Sequence, residues 1–385
     1  MSDELKQLDS AYIMPTYKRH DLLLEKGDGC YVFDQDGKKY LDFVGGIATC
    51  TVGHANPAVT KAITDQAQKL ISVSNLYYTE PPIRLAKKLS QLSGLKKVFF
   101  CHSGADANEA AIKLAKKVTG KQEFIAFQDG FHGRTTGSLA LTWKPEFKEP
   151  FLPLAPAVKF AKYNDIGSLE ALMSENTAAV IVEPIQGESG VIMPDDSFLG
   201  EIRKLCTEHN VLMIIDEVQT GVGRTGTFFA YSRNGIKPDI VTIAKGLANG
   251  VPIGVCLSDF DLEKGEHGST LGGNSLSAAA ANATIDYIED HGLMSNAETV
   301  GNYLMDSLRA LQETTPLIAE VRGKGLMIGI VLQESESARI VEQSMSHGLL
   351  CNAPAPSIVR LLPPLIATKE QADECVDILK KVMQS

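Results

Sequence analysis

The runs VLMIIDE (211–217) and DIVTIAK (239–245) are two apolar stretches in which Asp216 lies next to the end of the first and Lys245 ends the second. Continuous rather than alternating apolar runs of this length suit strands covered on both faces. The same kind of run recurs at KVFFC (97–101), EFIAF (123–127), VKFAKY (158–163), AAVIVEP (178–184) and IGVCL (253–257), which makes seven in all. Helical patterns lie between many of them. In 105–118 the residues Ala107, Ala110, Ala111, Leu114, Ala115 and Val118 follow the spacing of one helix face, with Lys113, Lys116 and Lys117 turned away. Alternating strand and helix predicts an α/β fold with a mostly parallel, doubly wound seven-stranded sheet in a large domain.

The two ends of the chain read differently. YVFDQDGKKYLDFV (31–44) predicts a hairpin turning at Asp36-Gly37, while the tail combines strands in GLMIGIVL and IVRLLP with a closing helix at about 368–383. These predict a smaller α+β domain built from both termini, with the chain divided at 1–58, 59–268 and 269–385. There is no internal repeat or low-complexity tract.

Composition narrows the function. Of 385 residues 44% are hydrophobic and 22% charged, and the formal charge of -10 lacks the basic footprint that nucleic acid or an anionic membrane attracts. Seven cysteines, none in a C-x-x-C pair, and an N-terminus without a charged-then-apolar leader point to a reduced, cytoplasmic protein with no membrane anchor. No metal site is expected.

Each remaining motif has a plain reading beside its chemical one. In CHSGADANEAAIKLA (101–115) the amides of Gly104 and Ala105 and the hydroxyl of Ser103 face the positive end of a helix, where a phosphate binds; Ser103 with Asp106 three residues on is equally a capping pair. FHGRT (131–135) offers Phe131 to cover a flat ring and Arg134 to fork onto a carboxylate, although a lone Phe is more often core and a lone Arg more often surface. His132 reads as a hydrogen-bonded, partly buried histidine. An apolar strand ending in Asp-Glu also resembles the magnesium strand of a P-loop ATPase, but none of the GK pairs at 37–38, 120–121 and 323–324 is followed by Ser or Thr. GVGRTG (221–226) matches the dinucleotide spacing, yet TFFAYSRNGIKPD follows it instead of a helix, which leaves a nicotinamide oxidoreductase as the alternative of another class. Lys245 and Asp216, each at the carboxyl end of an apolar strand in one sheet, are what pyridoxal phosphate chemistry needs: an amine to bind the aldehyde and a carboxylate to keep the ring nitrogen protonated.

With these motifs in hand, the chain resembles the class III pyridoxal phosphate aminotransferases of fold type I from about residue 12 to 383. The matching stretches are SGADANEAAIKLAKK (103–117), FHGRT, VEPIQGE (182–188), DEVQTGVGRTG (216–226), AKGLANGVPIG (244–254), GSTLGGN (268–274) and RGKGLMIGI (322–330). The resemblance implies that Lys245 carries the cofactor, that Asp216 pairs with the ring nitrogen, and that Val218 and Gln219 lie behind the ring and at its hydroxyl. It puts Ser103, Gly104 and Ala105 at the phosphate, Phe131 over the ring and Glu217 in the cofactor shell. Thr270 is then a phosphate ligand donated by a partner subunit, with Ser269 beside the substrate, so that a homodimer shares its active sites. Arg134 would bind the substrate carboxylate, and Arg360 a second carboxylate, covered by Glu188 when none is present. Where ornithine-specific members carry a tyrosine for the free α-amine, this chain has Ile47, which suits an acylated amine. The implied reaction moves the δ-amino group between N2-acetylornithine and 2-oxoglutarate, giving N-acetylglutamate 5-semialdehyde and glutamate, as in arginine biosynthesis. Other ω-aminotransferase substrates (succinylated ornithine or diaminopimelate, free ornithine, 4-aminobutyrate) are the alternatives. The chain departs from the usual acetylornithine pattern at His102, Asp106, Trp143, Ala248-Asn249 and Ser275.

Overall fold

A computed structural model describes residues 3–384. Seven strands form the central sheet in the order Lys97–Cys101, Gly254–Ser258, Ile240–Ile243, Leu212–Asp216, Thr177–Val182, Glu123–Phe127, Ala157–Ala161. They are the seven predicted runs. Gly254–Ser258 is antiparallel to both neighbours, and the other pairings are parallel.

Alternation along the strands builds two cores. Ile125, Phe127, Val180, Val182, Met213 and Ile215 face the larger one, while Phe124, Ala126, Ala179, Ile181 and Ile214 face a second on the opposite side. The helix Gly104–Thr119 closes that second core with Ala110, Ala111, Ile112, Leu114 and Ala115. Its ends follow sequence rules: Ser103 caps the start, Lys116 and Lys117 occupy the last turn, and Gly120 stops it at φ 70°.

Both termini contribute to smaller sheets. Leu24–Asp28, Tyr31–Asp34 and Lys39–Asp42 form an antiparallel meander that Leu349–Leu350 joins in parallel. Ile318–Lys324, Met327–Leu332, Ile358–Leu361 and Asn352–Ala355 make a second, antiparallel sheet. The predicted closing helix is Lys369–Met383, opened by a capping box of Thr368 and Gln371. The helix Ser275–Asp290 lies against Pro57–Lys69, Glu80–Ser93 and the turn Lys245–Ala248. Among the described residues no helix is long and apolar enough to cross a membrane.

Phe127 is 1% exposed and meets Tyr163 and Phe198 edge to face, with ring centroids 5.8 and 5.5 Å away. Phe127→Ala is expected to lower the unfolding free energy by about 3–5 kcal/mol, the usual range for emptying a buried aromatic site. Denaturant titration checks this, and a loss below about 1 kcal/mol would show that the site collapses freely.

Candidate active site

Five of the strands bring their chemistry to one edge of the sheet. Lys97–Cys101 runs into Ser103 and the helix Gly104–Thr119, Glu123–Phe127 leads to Phe131, Thr177–Val182 to Glu183, Leu212–Asp216 ends on Asp216, and Ile240–Ile243 leads to Lys245. The antiparallel strand begins at the same edge, where a Cβ on Gly254 would lie 2.1 Å from the carbonyl oxygen of Ser103, so only glycine fits there. A cavity of about 440 Å³ opens among these ends, lined by Ser103, Gly104, Ala105, Phe131, Asp216 and Lys245, with Val218, Gln219, Glu183 and Arg134 also on its wall. That volume lies in the range of small-molecule sites.

Asp216 is 3% exposed and held by three protein groups. Its Oδ2 accepts from the Asn108 amide and faces Nδ1 of His132, each at 2.8 Å, and its Oδ1 accepts from the Val218 amide at 3.0 Å. Asn108 is itself fixed, because its amide also donates to the His132 carbonyl at 2.7 Å and its oxygen accepts from the Thr242 hydroxyl at 2.8 Å. The carboxylate therefore has a set orientation before any ligand arrives.

Lys245 faces the cavity with part of its surface, and protein surrounds its amine closely enough that burial lowers the amine's pKa, with Arg360 acting the same way and Glu188, Glu183 and Asp216 opposing. Its backbone lies at φ +44°, the left-handed region that a side chain other than glycine rarely adopts. Glu183 is buried, accepts from the amides of Phe131 at 2.9 Å and Gly187 at 3.1 Å, and is pushed up to about 7 chiefly by burial.

A second cluster adjoins Gln219. Arg360 is fully buried on the strand Ile358–Leu361; its Nη1 reaches Glu188 at 2.9 Å, the Gln219 oxygen at 3.0 Å and the Gly187 carbonyl at 2.8 Å. Gln219 also donates to Glu188 at 3.1 Å. Burial works against a charged Glu188, but Arg360, Lys245 and these hydrogen bonds outweigh it and hold the carboxyl down at about 2. Arg134 lies with its guanidinium 3.5 Å from the Phe147 ring centroid and has no ion-pair partner among the described residues.

Several sequence expectations land elsewhere. Glu217 turns away from the cavity: it is fully buried, accepts from the Thr220 hydroxyl at 2.5 Å and the Tyr231 amide at 2.9 Å, and braces the following turn. Ser103 does line the cavity, and its hydroxyl also makes the expected capping bond, accepting from the Asp106 amide at 3.2 Å. Ile47 is 40% exposed, with φ +62°, and does not line the cavity. Ser269 and Thr270 border a neighbouring pocket of about 350 Å³ with His102 and Asp106. His102 lines both spaces, whereas Trp143 packs edge to face on Phe160. Residues 221–226 are turns leading to the short 3-10 turn Ala230–Asn234, which gives the dinucleotide reading no helix. Asn108, His132, Thr242 and Glu183 were not picked out as site residues. Asn108 left one trace, a polar residue one position from Ala107 and in line with Ala111 and Ala115 on the buried helix face.

Residues 12–383 match the sequence profile of Aminotransferase class-III. The chain belongs to this family. It is 45% identical over 375 residues to an acetylornithine aminotransferase of Archaeoglobus fulgidus, covering 96% of this chain and 98% of that one. An acetylornithine aminotransferase of Bacillus cereus is 44% identical over 378 residues, covering 97% of this chain and 98% of the relative. Among solved structures, the acetylornithine aminotransferase of Elizabethkingia anophelis superposes with TM-score 0.90 at 36% identity, covering 99% and 98% of the two chains. The ornithine aminotransferase of Toxoplasma gondii, described with partial occupancy of PLP at its active site, superposes with TM-score 0.96 at 30% identity over 100% and 94%. The class III aminotransferase is thus a pyridoxal phosphate enzyme of fold type I.

Two pH responses follow from the buried groups. The lowered pKa of Lys245 leaves its amine neutral at a lower pH than an ordinary lysine, so cofactor capture by the apoprotein should rise with pH and level off below 10.5, measured as incorporation rate against pH. A plateau reached only above that value would contradict the burial argument. Burial raises the Glu217 carboxyl to about 7, so the folded state holds its proton more tightly than the unfolded chain does. Its contribution is complete below the unfolded pKa of 4.5 and is lost as pH rises through about 7. Glu217→Gln should therefore stabilise by roughly 1–3 kcal/mol at about pH 8 and change little at about pH 5, read from denaturant midpoints.

Proposed function

We propose that this aminotransferase moves the δ-amino group between N2-acetylornithine and 2-oxoglutarate, forming N-acetylglutamate 5-semialdehyde and glutamate in arginine biosynthesis. The observation that carries the reading is the convergence of the Lys245 amine and the oriented Asp216 carboxylate on one cavity at the amino end of the helix Gly104–Thr119.

The lining suits pyridoxal phosphate. The first amides of a helix have no partners within it, so those of Gly104 and Ala105 can hold the phosphate. A Cβ on Gly104 would lie 2.7 Å from Val218 Cγ1, so the turn is closed against any side chain and keeps its backbone near the ring. Phe131 covers the other face. When bound, pyridoxal phosphate would supply an aldehyde for the amino group and an electron sink for the reacting carbon. Asp216 keeps the ring nitrogen protonated, because a buried carboxylate raises the pKa of its partner. Lys245 is tethered beside the substrate carbon and moves its proton as base and then acid.

Substrate choice falls to Arg134, Glu188 and Arg360, with Ser269 and Ile47 assigned from the family pattern although they lie outside this cavity. Arg134 takes the α-carboxylate, and the Glu188–Arg360 pair covers the second arginine while the acylated diamine is present. Uncovered, Arg360 takes the far carboxylate of glutamate or 2-oxoglutarate. Ile47 supplies no hydroxyl for a free α-amine. A cytoplasmic homodimer with shared sites completes the reading, with Thr270 reaching the partner's phosphate. Its support is that Thr270 lies outside its own cavity and that Leu76, Tyr77 and Tyr78 are 85, 71 and 97% exposed. The division of the chain at 58 and 268 belongs to the same reading.

A donor panel of acetylornithine, succinylornithine, ornithine and 4-aminobutyrate with 2-oxoglutarate tests the substrate, and acetylornithine should give the highest kcat/KM. Glu188→Ala should raise the kcat/KM ratio of glutamate to acetylornithine by roughly tenfold or more, since the arginine then stays uncovered. An unchanged ratio would remove the switching role from Glu188.

A further inference from the structure

Arg360 is held unevenly. Its one charged partner, Glu188, reaches only Nη1, while Nη2 is buried with no hydrogen-bond partner. Neutral acceptors supply the rest: the Gly187 carbonyl and Gln219 oxygen on Nη1, and the Asn352 side-chain oxygen on Nε at 3.2 Å. Asn352 and Arg360 are direct cross-strand partners in the small sheet, on the strands Asn352–Ala355 and Ile358–Leu361. The guanidinium is therefore fixed at its root by a neighbour that does not belong to the Glu188 cluster.

We infer that Asn352 is a positioning residue, one that keeps Arg360 in place for a second carboxylate when Glu188 withdraws. This rests on the substrate reading given above. A guanidinium whose carboxylate partner leaves would otherwise follow it or swing toward another acceptor, because a buried unpaired charge is costly. A neutral acceptor on Nε resists that movement without competing for the charge. Nη2 and the side of Nη1 vacated by Glu188 then offer two parallel N–H groups, the fork that a carboxylate matches. Exchange between the two substrates becomes a movement of Glu188 alone.

The test compares steady-state KM and kcat for acetylornithine and for 2-oxoglutarate in the holoenzyme and in two variants. Asn352→Leu removes the acceptor at similar size, and should raise the KM for 2-oxoglutarate roughly tenfold or more while leaving that for acetylornithine within about twofold. Asn352→Asp adds a permanent carboxylate beside Nε, and should likewise raise the KM for 2-oxoglutarate alone. Asn352→Leu in an Arg360→Lys background should add nothing, because lysine has no Nε–H in that position. Parallel changes for both substrates, or no change for either, would overturn the positioning role. If Asn352→Leu does not fold, Asn352→Ala, which also removes the acceptor, decides in the same terms. Failure of the parent enzyme to turn over 2-oxoglutarate would instead overturn the substrate reading and with it this inference.

Discussion

The buried Asp216 carboxylate is the constraint around which the site is organised. At 3% exposure it must be compensated by protein groups, and the donors come from three places: the helix Gly104–Thr119, the loop that follows Glu123–Phe127 and its own turn. Asn108 lies one turn into its helix and also accepts from Thr242 on the strand that leads to Lys245. One run of hydrogen bonds thus joins the Asp216 carboxylate, the first turns of the helix Gly104–Thr119 and the strand that leads to Lys245. Leaving any of these buried polar groups unmatched would cost about 1–3 kcal/mol, so the groups are fixed together rather than one by one.

The cluster around Arg360 is built differently. Arg360 comes from the small antiparallel sheet, Glu188 and Gly187 from the loop after Thr177–Val182, and Gln219 from the turn after Asp216. The Asp216 carboxylate has paired, mutually orienting contacts, whereas this cluster has one charged contact and a buried nitrogen without a hydrogen-bond partner. Gln219 stands between the two, lining the cavity while bonding to Glu188 and Arg360.

Much of this was legible in the sequence. The seven apolar runs became the seven strands because continuous hydrophobicity is what two covered faces demand, and strand-end placement singled out Asp216 and Lys245. The direction of Gly254–Ser258 was not legible, since a run buried on both faces looks alike whichever way it points. Glu217 follows Asp216 directly and shares its composition, but successive residues at a strand end face opposite sides, and it serves the fold. Asn108 and His132 acquire their meaning only through contacts 108 and 84 residues away in sequence, which no local pattern encodes.

Lys245 holds a backbone conformation that its own side chain disfavours, at φ +44° immediately after a buried strand. Such a residue costs on the order of 1–3 kcal/mol and persists only where the surroundings over-determine it. The native state therefore carries a standing conformational cost at the residue whose amine lines the cavity. Glycine there would relax the chain but take the amine out of the cavity, so stability alone gives no reason for a lysine at that position.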